Sequence, residues 1–302
     1  MTSQIEKTRP GDAAAAKPTV PRPEKIESEG GVLNVFSHAF LILWAAMVVL
    51  PMLWAFMTSF KTNAEIFTAP WSLPTKLHWE NWTGAWTTAN FGSYFINSLI
   101  VVGGGVVGTM LIGSMAAYVL ARFEFPGNRF IYYLFISGMT FPVFLALVPL
   151  FFVLKNTGLL ASYQGLILVY IGYSLPFTVF FLTAFFRTLP TSIAEAALID
   201  GCGHAGVFFK IMLPLARPGL ISIGIFNVLG QWNQYLLPLV LNSDKDKFVL
   251  TQGLADLAVN QGYAGNWGQL FAGLMIATIP VLVVYIVFQR QVQAGMTAGA
   301  VK

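Results

Sequence analysis

Charge is what this chain has least of. Only 10% of its 302 residues are Asp, Glu, Lys or Arg, against about 25% in soluble proteins. A chain of this length could bury a soluble core, but it could not clothe one with so few charges. Cysteine is nearly absent. The single Cys202 excludes an internal disulfide and a cysteine-rich metal site, and it reads as a small packing residue on the reducing side of a membrane. No Gly-Lys pair occurs, so the chain has no Walker A cradle for a nucleotide phosphate. His38, His78 and His204 are scattered without an HExxH pair, and no nucleophile stands beside a base, which argues against an enzyme. The net charge of +4 comes without the basic stripe that nucleic-acid binding needs.

Apolar residues make up 56% of the chain. They gather into runs at about 33–57, 95–120, 130–154, 165–186, 218–241 and 267–289. Each run has the roughly 20 residues needed to cross a hydrocarbon core. The expectation is an all-α membrane protein with six transmembrane helices over residues 32–302, in contact with membrane lipid. Residues 1–31, rich in Ala, Pro, Glu and Lys, read as a disordered tail. The first apolar run has the length of a span rather than of a signal-peptide core.

Six spans put both termini on one side. With that side inside, the inner segments hold Lys7, Arg9, Lys17, Arg22, Lys25, Arg122, Arg129, Arg187, Lys210, Arg217, Arg290 and Lys302, twelve of the 17 basic residues. The outer ones hold Lys61, Lys76, Lys155, Lys245 and Lys247. The bias predicts cytoplasmic N- and C-termini.

Within the spans, Gly104 and Gly108 form a GxxxG pair that Thr109, Gly113 and Ala117 extend. Such a stripe predicts close helix packing, within the chain or with a sister subunit. Pro51, Pro142, Pro149, Pro176, Pro238 and Pro280 interrupt the runs and free backbone groups that protein or a cavity must satisfy. Trp79, Trp82 and Trp86 recur at helical spacing between the first two spans. They suit an interfacial helix with an aromatic belt, with sugar stacking as the alternative.

The segment 187–217, RTLPTSIAEAALIDGCGHAGVFFKIMLPLAR, is a polar interruption between two apolar runs. Ser192 and Glu195 have capping-box spacing. Gly201 and Gly203 predict the end of a short helix, and a second helix over about 205–212 should end at Pro214. Ala196, Ala197, Leu198, Val207, Phe208, Phe209, Ile211 and Met212 are more apolar surface than a solvated loop exposes. The bundle or the groove of a partner should take up that surface.

The spacing Glu195-Ala196-Ala197, Gly201, Ile211 and Leu213-Pro214 resembles the EAA loop of binding-protein-dependent ABC transporter permeases. NSLIV at 97–101, AAYVLARFEFPG at 116–127 and GQWNQYLLPLVL at 230–241 are similar to the carbohydrate branch. QVQAGMTAGAVK at 291–302 is similar to the C-terminus of maltose-transporter-type second permease subunits. The resemblance covers nearly everything after residue 33. It implies the ABC type I importer permease fold, with Glu195, Ala196, Ala197, Asp200, Gly201, Ile211, Leu213 and Pro214 coupling the chain to an ATPase. The implied partners are a second permease subunit, two ATP-binding cassette subunits that use ATP and magnesium, and an extracellular sugar-binding protein. The chain itself would bind no cofactor and no metal. By the same resemblance the tail 290–302 reaches between the ATPases, and the outer loop 242–266 enters the binding protein's cleft.

Asn227, Gln231, Trp232, Asn233 and Tyr235 are the polar and aromatic residues of the fifth span. They are candidate sugar contacts, with hydrogen bonding between helices as the competing role. The expected function is import of a mono- or oligosaccharide. An ABC permease for a non-sugar solute is the alternative. An ion-coupled carrier is the rival from another class, but every Asp and Glu falls in a tail or loop, where such a carrier would place carboxylates in its spans.

Overall fold

The computed structural model describes residues 31–261 and 265–298. The tail expectation for residues 1–31 thus falls almost wholly outside the described residues, as do the last four residues. The chain forms two compact units, residues 1–50 and 51–302. Of the first, residues 31–50 begin helix α1 (Gly31–Thr58). From Asn34 on, nearly every side chain there is exposed, as befits an apolar rod with hydrocarbon for solvent.

The second unit is helical among its described residues. α2 (Asn63–Thr68) and α3 (Glu80–Thr87) lead into α4 (Phe91–Arg122). Next come α5 (Asn128–Thr140), α6 (Val143–Asn156) and α7 (Tyr163–Thr188). A short-helix segment follows, with α8 (Thr191–Ile199), α9 (His204–Val207), a π-turn at Phe208–Met212 and α10 (Leu213–Leu215). The chain continues through α11 (Arg217–Trp232), α12 (Leu236–Leu241), α13 (Leu250–Gln261) and α14 (Trp267–Ala298).

The six expected membrane segments are all helical, but only four are unbroken rods: 34–58, 91–122, 163–188 and 267–291. The third, expected at 130–154, is two half-length helices meeting at 104°. Pro142 has no N–H to continue α5 and holds Phe141 in an extended conformation (φ −77°, ψ 122°). The fifth, expected at 218–241, runs only to Trp232 and turns through Asn233–Tyr235 before α12. The last helix continues past the expected end at 289 to Ala298.

α4 and α7 form the centre of the bundle. Gly104 faces Ile167, Gly108 faces Ile171 and Gly113 faces Thr178. The nearly constant offset means parallel helices, and the glycine stripe is a seam within this chain. α11 runs antiparallel to α7. Two apolar clusters fill the bundle's ends. One gathers Phe91, Tyr170, Trp232, Leu250 and Ala272, and the other Tyr118, Phe186, Val207, Phe208 and Met212.

At the end where α4 begins, α2 and α3 are stitched down. Lys61 is completely buried. Its ammonium donates to the carbonyls of Ala69 (3.1 Å) and Pro70 (3.0 Å). Asn81 donates to the carbonyls of Ser59 and Lys61, both at 3.0 Å. The tryptophans divide. Trp82 stacks on Phe60 and its indole donates to Ser59 Oγ (3.1 Å), whereas Trp79 and Trp86 stay exposed.

Candidate functional site

The segment after α7 is a helix, a glycine turn and a second helical stretch, laid against the ends of α4, α7 and α11. Its first helix is not closed by the expected capping box. Pro190 (φ −61°, ψ 129°) is the N-cap, and no side chain caps the helix. With Thr191 already helical, Ser192 lies inside the first turn, where its hydroxyl cannot reach back to cap. The same Thr/Ser-x-x-Glu pattern does form a capping box at Thr62 and Glu65.

A Schellman motif ends α8. Gly201 adopts φ +84°, its N–H donates to the Leu198 carbonyl (3.1 Å), and the Cys202 N–H donates to the Ala197 carbonyl (2.9 Å). Gly203 is the N-cap of α9. Contrary to the sequence expectation, Pro214 does not terminate the second stretch. The helix passes through the π-turn and bends by 77° only at Ala216. The wider π-turn directly precedes Pro214, whose ring and missing N–H interrupt the regular α-helical ladder there.

The segment has two faces. Ala197, Val207, Phe208, Met212 and Ala216 are buried in the cluster with Tyr118 and Phe186, and Ile211 and Leu213 pack against it. Glu195, Ala196, Asp200, Gly201 and Pro214 face outward. So do Ile193, Leu198, Ile199 and Phe209, with Ile199 86% exposed. Arg122, at the end of α4, fixes the start of the segment. Its guanidinium donates to the Leu189 carbonyl (2.6 Å) and to Thr191 Oγ1 (3.1 Å). Sequence reasoning passed over this clamp, because nothing local to Arg122 names a partner nearly seventy residues away.

The polar residues of α11 meet α7. Asn227 donates to Thr178 Oγ1 (2.8 Å), and one turn later Gln231 donates to Ser174 Oγ (3.0 Å) and Thr109 Oγ1 (3.4 Å). The Trp232 indole donates to the Ala277 carbonyl (3.1 Å). These three are buried. Asn233 bonds back to its own helix at Leu229 (2.8 Å) and is exposed, as is Tyr235. The five candidates therefore do not converge. Three hydrogen-bond neighbouring helices, and two sit on the turn that breaks the fifth segment.

A cavity of about 940 Å³ opens beside Asn227, between the α5–α6 break and α7. Phe141, Tyr173, Ser174, Phe177 and Phe226 are among its lining residues. Pro142 and Pro176 were the sequence signals for it, though neither shows what surrounds it. A smaller groove of about 290 Å³ lies between α4, α11 and α14. Among the described residues no group of His, Cys, Asp and Glu could hold a metal ion.

Residues 109–298 match the family model described as binding-protein-dependent transport system inner membrane component. A Streptomyces coelicolor protein, the diacetylchitobiose uptake system permease protein NgcG, is 56% identical over 263 residues, 87% of each chain. The trehalose transport system permease protein SugB of Mycobacterium tuberculosis is 35% identical over 257 residues, 84% of this chain and 92% of its own. Among solved structures, a bacterial ABC transporter involved in alginate import superposes with a TM-score of 0.76 at 22% identity, covering 87% of this chain and 97% of that one. That likeness carries the type I importer permease fold.

Proposed function

The chain belongs to the binding-protein-dependent transport system inner membrane component family, and on that premise we propose that it is the membrane-spanning subunit of an ATP-driven importer for a mono- or oligosaccharide. It is a permease and not an enzyme. Support for a saccharide comes from relatives named for diacetylchitobiose and trehalose.

The observation that carries the coupling role is the two-faced segment after α7. Its buried face is locked into the ends of α4, α7 and α11, while Leu198 and Ile199 stand out unpartnered among the described residues. An amphipathic helix held this way delivers a push from a docked partner to the spans as a rigid body. In this reading the partner is a cytoplasmic ATP-binding cassette subunit, one of two, which holds the ATP and magnesium. A second permease completes the channel, and an extracellular binding protein delivers the sugar. The termini lie in the cytoplasm, in keeping with the Lys and Arg distribution.

The test is uptake of labelled diacetylchitobiose and trehalose by proteoliposomes holding the whole complex with its binding protein. Uptake should require internal ATP and the binding protein and should survive collapse of the ion gradients. Uptake that follows a proton or sodium gradient without ATP would reject the reading.

A further inference from the structure

We propose that the 940 Å³ cavity beside the α5–α6 break is a cargo-contact site of this subunit, built for a neutral polyhydroxyl ligand. The proposal deepens the importer reading above and rests on it.

The lining contains no Asp, Glu, Lys, Arg or His, so a charged cargo would lose its hydration there without a counter-charge. The polar groups at its wall are rich in acceptors. Asn227 is 4% exposed. Its amide nitrogen is taken by Thr178 Oγ1 at 2.8 Å and the Met110 sulfur at 3.4 Å, while its Oδ1 accepts nothing among the described residues. The Gly172 carbonyl, four residues before Pro176, loses its helical donor because proline has no N–H. Tyr173 presents a phenol that has no hydrogen-bond partner among the described residues. Gly172, Tyr173, Pro176 and Asn227 all line the cavity.

Acceptors that face a cavity are free to bond whatever enters it, and sugar hydroxyls are donors. The rings of Phe141, Phe177 and Phe226 offer flat apolar faces for the C–H faces of a pyranose. The volume lies in the range of small-ligand pockets, about 300–1,000 Å³. The break supplies the opening. α5 and α6 have 13 and 14 residues, about 20 Å each, so their junction falls at mid-depth, where irregular backbone is tolerated only beside protein or a cavity.

Two glycines allow a clean test. A Cβ on Gly172 or Gly230 would meet no atom within 4 Å, and both line the cavity. Gly172→Leu and Gly230→Leu therefore fill the space without overpacking the helices. Gly103→Leu, which also meets nothing within 4 Å and fills the smaller groove instead, is the control. Each variant is purified as the whole complex and assayed for uptake of labelled diacetylchitobiose and trehalose.

The two plugs should lower uptake by roughly tenfold or more, since a single misfit methylene in a binding pocket already costs on that order. Co-purification of all subunits and stimulation of ATP hydrolysis by the binding protein should persist, and Gly103→Leu should transport normally. Wild-type uptake by either plugged complex overturns the proposal. Loss of the sister permease from the plugged complexes also overturns it, because the cavity would then be a subunit interface. Equal loss in Gly103→Leu points to a lipid effect and likewise overturns it. ATP-independent uptake by the wild type would instead reject the importer reading, and the proposal with it.

Discussion

The Arg122 guanidinium hydrogen-bonds the Leu189 carbonyl at 2.6 Å, tying the end of α4 to the first residue after α7. Two helices that pack as parallel neighbours are thus joined where the short-helix segment α8–α10 departs. Arg122→Ala should remove a charge-assisted bond worth on the order of 1 kcal/mol at a partly exposed position. Faster hydrogen exchange over 189–199 is expected, with more ATP hydrolysed per sugar imported. Unchanged exchange would show that the clamp holds nothing.

Gly201 should tolerate asparagine and reject valine. Its φ of +84° costs an ordinary L-residue about 1–2 kcal/mol, while a Cβ there meets no atom within 4 Å. The penalty is therefore one of backbone strain, not of space. Gly201→Val should lose uptake while remaining inserted in the membrane, Gly201→Asn should keep most of it, and Gly201→Ala should fall between. Equal uptake by all three would contradict this.

Ile199 and Ala197 should differ as attachment points. Ile199 is 86% exposed and Ala197 is 7% exposed. In a Cys202→Ser background, Ile199→Cys should react quickly with a water-soluble maleimide and crosslink to the ATPase, whereas Ala197→Cys should react slowly. The resemblance placed Ala197 among the coupling residues, but its side chain is buried in the cluster with Phe186 and Met212. Comparable labelling at both sites would refute the two-faced arrangement.

Gly103 and Gly105, two residues apart and so on opposite sides of α4, should respond oppositely to alanine. A Cβ on Gly105 would lie 3.2 Å from Tyr170 Cβ and 3.2 Å from Gln231 Cδ, whereas one on Gly103 meets nothing within 4 Å. Gly105→Ala should destabilise the protein by about 1–3 kcal/mol through overpacking. Gly103→Ala should be neutral or stabilising by up to about 1 kcal/mol, from helix propensity. Thermal unfolding in detergent separates them, and equal melting temperatures would contradict the packing of α4 on α7.

Acid should loosen the loop between α1 and α3. Glu65 accepts from the Thr62 N–H (2.9 Å) and the Thr75 N–H (3.1 Å), and from both hydroxyls. These bonds, led by that of the Thr75 hydroxyl, pull its pKa down from an ordinary 4.5 to about 2. A depressed carboxyl stabilises the fold above its unfolded value, so the contribution is full above about pH 4.5 and fades as pH falls towards 2. Amide exchange at Thr75 should accelerate across that window in the wild type and be already fast and flat in Glu65→Gln. A flat wild-type profile would count against the staple.

The sequence carried the membrane class, the approximate limits of six helical segments and the place of the short-helix segment between the fourth and fifth. Those properties rest on local quantities: length of apolar run, charge placement, and the glycine that must sit at a left-handed turn. It misassigned the capping box, because Ser192-x-x-Glu195 and Thr62-x-x-Glu65 look alike until Pro190 is seen to be the N-cap of α8, two residues before Ser192. It marked Pro142 and Pro176 as interruptions but could not say that one would bend a span by 104° and the other would stay within a helix.

Only the tertiary structure decided what the α11 amides do. Asn227 and Gln231 are one turn apart in any helix, and that much is sequence. Which helix they meet depends on Thr178 and Ser174, about fifty residues away, arriving in antiparallel register. The cavity arises the same way, as space left where a broken helix cannot follow a straight neighbour. Periodicity along one chain records which face is apolar. It holds no information on which distant face will be brought against it, because that choice is made by packing between segments and not within them.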